Sequence, residues 1–121
     1  MTSTYEALII GAGQAGPPLA GWLTAAGMSV GLIERKLFGG TCVKSDCTPT
    51  KTLVASAYAA HLARRAMEHG VGIGGEVAVD MKAEKARKDM IVRRSREGVE
   101  SWLERMERCT VYRGLRPSLA K

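Results

Sequence analysis

Apolar positions along the chain fall into two kinds of run. Short continuous runs read as buried strands, and longer runs with apolar residues three and four apart read as helices. Tyr5 to Ile10 is short, with Ala7-Leu8-Ile9-Ile10 at its centre, and predicts a strand. Glycines at 11, 13 and 16 follow at once. Gln14 to Ala26 predicts a helix with Ala15, Leu19, Leu23 and Ala26 on one face. Pro17 and Pro18 fall near its first turn, where a missing N–H costs least, and Gly27 is placed to close its end. Met28 to Ile33 predicts a second buried strand, ending in Glu34. Together these make a strand–helix–strand unit of about thirty residues.

Further on the pattern turns helical. Arg35 to Gly40 reads as a loop, and an alanine-rich helix runs through roughly Lys51 to His69. Gly70 to Gly75 reads as a turn and Glu76 to Val79 as a short extended piece. Asp80 is placed to cap a long helix reaching about Arg108. Its apolar residues are Ala83, Ala86, Met90, Ile91, Val99, Trp102, Leu103 and Met106. Thr110 to Tyr112 predicts a last strand. No internal repeat is evident.

Composition narrows the class. With 121 residues, 45% hydrophobic and 25% charged, the chain suits one soluble globular domain. No apolar run reaches the roughly 20 residues of a membrane span. Met1 to Glu6 lacks the basic and apolar regions of a signal peptide, so the expected location is the cytoplasm, with no membrane partner. The net charge of +6 raises the question of nucleic acid. Between Lys82 and Arg108, however, Glu84, Asp89, Glu97, Glu100, Glu104 and Glu107 are interleaved with the basic residues. Mixed signs at helical spacing predict a solvated helix face, and no aromatic stacking platform accompanies them, so no nucleic-acid partner is expected.

The segment Gly11-Ala12-Gly13-Gln14-Ala15-Gly16 has the spacing G-x-G-x-x-G. Alone the pattern says little, but here a strand precedes it and a helix follows. The first glycine permits the tight turn, the second lets backbone approach a pyrophosphate, and the third lets helix and strand pack closely. The helix start then offers N–H groups and a positive dipole end to phosphates. Glu34 lies 18 residues past Gly16, at the tip of the second strand. A carboxylate there accepts hydrogen bonds from ribose hydroxyls and repels a 2′-phosphate. Gly70-Val71-Gly72-Ile73-Gly74-Gly75 repeats the spacing, but it follows a helix and leads toward an extended piece. That order is the reverse of the one required, so it reads as a plain loop.

Cys42 and Cys47 stand five residues apart. In a continuous helix their Cα atoms would be about 8.7 Å apart, whereas a disulfide needs roughly 4.4 to 6.8 Å. The pair can close only across an irregular segment, which Gly39, Gly40 and Pro49 favour. A helix starting just beyond, with Lys44 and Lys51 nearby, would lower the thiol pKa. The pair thus suits a redox disulfide or a dithiol for a soft metal ion. No second Cys/His pair at zinc spacing exists, which argues against structural zinc. His61 and His69 are expected at the surface, and Cys109 as a small buried residue.

Gly39-Gly40-Thr41-Cys42-Val43-Lys44-Ser45-Asp46-Cys47-Thr48-Pro49-Thr50-Lys51 resembles the active-site signature of the class I pyridine nucleotide-disulfide oxidoreductases. The ending Thr-Pro-Thr-Lys-Thr is most similar to the mercuric reductase branch. The glycine loop and Glu34 resemble the same family's FAD-binding start, and the likeness runs to about Gly114. It implies an α/β fold: a Rossmann-like FAD-binding domain over residues 1–114 with an incomplete parallel sheet and two long helices. It implies FAD as cofactor, with its pyrophosphate on Gly11, Gly13 and Gly16, its ribose on Glu34, and Gly40 and Thr41 along its flavin side. Cys47 becomes the thiol beside the flavin, Cys42 the outer thiol that meets substrate, and Lys51 a stabiliser of the reduced, anionic flavin. Electrons would pass from NAD(P)H through FAD to the Cys42/Cys47 disulfide, then to mercuric ion, a small-molecule disulfide or a lipoyl group.

The chain departs from that pattern in places. Asp46 stands where the family usually has glycine, and its carboxylate would raise a neighbouring thiol's pKa. Lys44 stands where asparagine is frequent. Residues 115–121 form a tail unlike the family. Family enzymes continue into a nicotinamide-binding domain and a dimerisation domain, so the resemblance makes this a truncated or frameshifted reading frame. NAD(P)H would then be used only if the missing domains were supplied, and the family's homodimer interface would be absent. The competing readings are a non-enzymatic dithiol module for a nucleotide or soft metal, and an inactive fragment.

Overall fold

A computed structural model describes residues 3–114. In chain order the elements are β1 (Ala7–Ile10), α1 (Gly16–Ala25), β2 (Val30–Glu34), α2 (Gly40–Lys44), α3 (Cys47–Arg64), a 3-10 turn at Ala66–His69, α4 (Met81–Glu104) and β3 (Cys109–Arg113). The strands form one parallel sheet in the order β1-β2-β3. Ala7 sits opposite Val30, and Val30 opposite Cys109, so odd residues of β1 and β3 share a face with the even residues of β2.

That face carries the core. Ile9, Val30 and Leu32 pack with Ala12 and Phe38, with Ala20 of α1 and with Leu103 of α4. Leu23, Val99 and Met106 close over the cluster. On the opposite face Leu8 is 54% and Ile10 81% exposed. The chain is thus α/β, with its described helices gathered on one side of a parallel sheet.

Local chemistry explains the element ends. Gly27, at φ +90°, closes α1: its N–H donates to Thr24 O at 2.9 Å and the Met28 N–H to Leu23 O at 3.0 Å. Asp80 Oδ1 accepts from the N–H groups of Lys82 at 2.8 Å and Ala83 at 3.1 Å, capping α4. Thr52 is the buried polar residue of α3, and Arg87 of α4 donates to its carbonyl at 3.3 Å and to Ser56 Oγ at 3.0 Å.

Several expectations are corrected. The alanine-rich helix starts earlier, at Cys47, and ends at Arg64, where the chain tightens into the 3-10 turn. The long helix stops at Glu104, and the chain turns through residues 105–108, where Arg108 takes φ +63°, a left-handed conformation. In α1 the buried face is Gly16, Pro17 and Ala20, whereas Leu19 is 43% exposed. Cys109 is half-buried rather than buried. The 115–121 tail lies outside the described residues. Among the described residues no helix is long and apolar enough to cross a membrane.

Candidate functional site

The site starts where β1 ends. Gly11 turns the chain at φ +102°, and its N–H donates to Ile33 O at 2.7 Å. The turn then enters α1 at Gly16. A Cβ on Gly16 would lie 2.1 Å from Gly11 O, so only glycine lets the helix approach the strand this closely. Gly13 is different: a Cβ there would meet no protein atom within 4 Å. Its bare backbone faces open space, the setting in which a phosphate ligand can come close. Pro17 and Pro18 remove two N–H donors from the first turn of α1, and the Leu19 N–H is taken by Ala15 O at 3.1 Å. Donors for a phosphate must therefore come from the turn itself, between Gly13 and Gly16.

Glu34 reaches back to this turn. Its Oε2 accepts from the Ala12 N–H at 2.8 Å and its Oε1 from the Lys36 N–H at 2.7 Å. A carboxylate oxygen has further lone pairs, so ribose hydroxyls remain possible donors to it.

The cysteine segment is tied to the same turn. The Gly39 N–H donates to Ala12 O at 2.7 Å, and Gln14 Nε2 donates to Gly39 O at 3.2 Å. A Cβ on Gly40 would stand 2.9 Å from Gly13 Cα. The start of α2 thus lies directly on the glycine turn. Gln14 and Gly39 were missed as contributors; the tandem Gly39-Gly40 ahead of a cysteine was the available signal. Gly39, at φ +91°, also needs to be glycine because a Cβ would fall 2.6 Å from Val43 Cβ.

The cysteines sit on either side of a break between two helices. Cys42 lies in α2 and Cys47 is the first residue of α3. The N–H groups of Ser45 and Asp46 both turn back to Thr41 O, at 2.9 and 3.1 Å. This irregularity is what the five-residue spacing required. Both sulfurs are free thiols here, partly exposed, and the Cys42 thiol is hydrogen-bonded to Cys47. That bond, then desolvation, then the charges of Cys47 and Asp46 hold the Cys42 pKa above the ordinary thiol value. The expected lowering by Lys44, Lys51 and the helix start is corrected for Cys42, whose dominant neighbour is Cys47.

Lys51 is exposed on α3, four residues and one turn beyond Cys47. His61 and His69 are exposed and distant in sequence from the pair. Among the described residues no three His, Cys, Asp or Glu side chains gather to hold a metal ion. Glu34, Gly40 and Thr41 share a hollow of about 320 Å³ with Arg35, Lys36 and Lys44. A larger hollow of about 520 Å³ lies between α1 and α4, bordered by Trp22 and Trp102, away from this chemistry.

The glycine turn, the open backbone at Gly13 and the acceptor at Glu34 fit an extended dinucleotide such as FAD, and the turn's contact with Gly40 would lead that ligand toward the cysteines. Residues 5–112 match the family model described as pyridine nucleotide-disulphide oxidoreductase. The dihydrolipoyl dehydrogenase of Acholeplasma laidlawii is 34% identical over 114 residues, which is 94% of this chain and 34% of that protein. RclA of Escherichia coli is 53% identical over 55 residues, covering 44% of this chain and 12% of RclA. A solved structure described as a Cu(II) complex of HOCl-induced flavoprotein disulfide reductase RclA from Escherichia coli superimposes with a TM-score of 0.70 at 33% identity. It covers 93% of this chain and 22% of the RclA chain. The chain therefore spans about a third or less of the length of these relatives.

Proposed function

Since the chain belongs to the pyridine nucleotide-disulphide oxidoreductase family, we propose that it is the FAD-binding, dithiol-bearing portion of a flavoprotein reductase whose substrate is a disulfide or mercuric ion. The observation that carries this reading is the physical joining of two motifs. The Gly39 N–H is bonded to Ala12 O, and Gly40 packs on Gly13, so the dithiol segment is built onto the dinucleotide turn.

When bound, FAD would supply a two-electron carrier between a nicotinamide and sulfur. The chain's own residues supply position and electrostatics. Gly11, Gly13 and Gly16 shape the phosphate turn, and Glu34 accepts from the ribose while holding that turn. Gly40 and Thr41 lead from the turn to the thiols. Lys51, one turn from Cys47, offers a positive charge to an anionic ring. Two electrons and two protons convert the Cys42–Cys47 disulfide to the dithiol. Cys42, in α2 ahead of the helix break, is the sulfur that the resemblance assigns to meet substrate. A disulfide substrate takes the electron pair by thiol exchange, leaving as two thiols while the Cys42–Cys47 bond re-forms.

A second substrate class is favoured by a specific observation. The RclA relative forms a Cu(II) complex, which favours a metal ion as a ligand of this chain. The mercuric branch assignment rests on the Thr48-Pro49-Thr50-Lys51-Thr52 ending.

The test is a titration of the purified chain with FAD, followed by flavin fluorescence and absorbance before and after dithiothreitol. Saturable binding with a new long-wavelength band on reduction is expected. A chain that stays colourless and leaves the flavin signal unchanged at high micromolar FAD rules out the flavoprotein reading for this polypeptide.

A further inference from the structure

The hollow of about 520 Å³ between α1 and α4 lies apart from the glycine turn and the thiols. Small residues of α1 form its floor: Pro18, Gly21 and Ala25 stand at helical spacings of three and four and share one face. Trp22 rises on one side and Trp102, in the last turn of α4, on the other. A Cβ on Gly21 would stand 3.3 Å from Trp102 Cζ2, so the bare floor lets that indole lie against α1. Both tryptophans of the chain thus border one concavity, and Trp22 is 75% exposed. A covered indole removes roughly 150 to 250 Å² from water. One left nearly bare beside a hollow marks an interaction surface. Leu19, one turn before Trp22 and also exposed, extends the apolar area. Glu107 and Arg108 stand at the rim, adjacent and opposite in charge. Glu107 makes no hydrogen bond or ion pair to a described residue. Arg108 uses one nitrogen on Gly27 O at 2.9 Å, which leaves guanidinium donors for a second acceptor.

We propose that a second copy of this chain docks on this face, with Trp22 of each copy entering the other's hollow about a two-fold axis. Such an interface must be self-complementary, because the same patch serves both sides. The patch meets that condition in shape, since it carries both a projecting indole and a hollow large enough to take one. It meets it in charge, since a two-fold axis can set Glu107 of each copy opposite Arg108 of the other. A partner of one dominant charge would match only one of these two residues. An aromatic anchor in a pocket with arginine beside it is also the composition of interface hot spots. The exposed parts of Trp22, Trp102 and Leu19 come to roughly a few hundred Å² per copy. A stable interface covers about 800 Å² per partner. The dimer is therefore weak, with a dissociation constant on the order of 100 µM. Gly13, Glu34 and the thiols take no part in it, so the docking is independent of FAD.

The test is sedimentation equilibrium of the full chain from about 10 µM to 1 mM. Dithiothreitol excludes thiol cross-links, and near-physiological salt screens the +6 charge beyond about 8 Å. The mass should rise from monomer toward dimer with concentration, and tryptophan emission should move to shorter wavelength along the same curve. Both indoles border the hollow, so that shift reports on this face. Trp22→Ala should weaken association about thirtyfold, as for a hot-spot side chain. Trp22 is exposed, so its replacement leaves the core intact, and circular dichroism checks this. Glu107→Lys and Arg108→Glu each set like charges opposite one another and should each weaken association about tenfold. The double variant carrying both changes should restore it. Glu107→Lys alters no described hydrogen bond or ion pair, so its result is independent of the Gly27 contact that Arg108→Glu removes. A chain that stays monomeric at about 1 mM overturns the proposal and leaves the hollow to a small ligand or a different protein. A Trp22→Ala variant that associates like wild type, or a double variant no better than the single ones, overturns it equally.

Discussion

The carboxylate of Glu34 accepts the Ala12 N–H at 2.8 Å, so the end of β2 holds the middle of the glycine turn. Its other oxygen accepts the Lys36 N–H at 2.7 Å. A residue expected to serve a ribose therefore also organises the backbone around it. Glu34→Gln can keep an oxygen toward only one of these N–H groups and turns an NH₂ toward the other. We expect a loss of about 1 to 3 kcal/mol of stability by urea melting, together with weaker FAD binding. A variant with unchanged stability would mean that the two contacts do not hold the turn.

Two glycines of the same turn should behave in opposite ways. Gly16→Ala places a Cβ 2.1 Å from Gly11 O, a clash with backbone that must move helix or strand. A destabilisation of about 3 kcal/mol is expected. Gly13→Ala places a Cβ in open space, so stability should change by about 1 kcal/mol or less, the propensity scale of a glycine change. Its FAD affinity should nevertheless collapse, because the methyl fills the space that a phosphate would use. Parallel thermal melts and flavin titrations separate the two. If Gly13→Ala binds FAD as the wild type does, the ligand does not approach this backbone.

Much of this was legible in the sequence because the signals are local. Glu34 at the end of an apolar run, and the first and third glycines at a strand-to-helix turn, have few conformational options. So does a Cys42/Cys47 spacing that no continuous helix can bridge. What the sequence left out depends on long-range contact. The tie from Gly39 to Ala12 spans 27 residues, and the one from Gln14 to Gly39 spans 25. Helix ends were misplaced where tertiary packing overrides composition. Alanine-rich periodicity continues past Arg64 although the chain turns there, and the run toward Arg108 already leaves the helix after Glu104. Leu19 was assigned to the buried face by its helical spacing with Ala15, Leu23 and Ala26. Smaller residues, Gly16 and Ala20, hold that face because the helix lies close to the sheet.

The cap on α4 gives a prediction independent of any ligand. Asp80 Oδ1 satisfies two N–H groups at the start of a 24-residue helix whose burial is slight before Val99. Asp80→Ala should cost about 1 kcal/mol, and Asp80→Asn should recover most of it. Hydrogen exchange should show faster exchange at Lys82 and Ala83 in the alanine variant. Unchanged protection there would mean that the cap does not hold this end of the helix.

The thiol pair yields the last prediction. The Cys42 pKa is raised, first by its hydrogen bond to Cys47, then by desolvation and by the charges of Cys47 and Asp46. A raised thiol pKa means less thiolate at a given pH and slower alkylation. Cys47→Ser removes the sulfur partner and its charge, so the alkylation profile of Cys42 should move to lower pH. Asp46→Asn should move it the same way by a smaller amount, since its charge acts after the Cys47 effects. The stability linkage has a matching sign. The folded state favours protonated Cys42, so the contribution is full below the ordinary thiol pKa and is lost as pH rises through the folded value. Iodoacetamide rates between pH 6 and 10, with peptide mapping to isolate Cys42, provide the measurement. A Cys42 profile that stays put in Cys47→Ser, or moves to higher pH, would mean that Cys47 does not govern its proton.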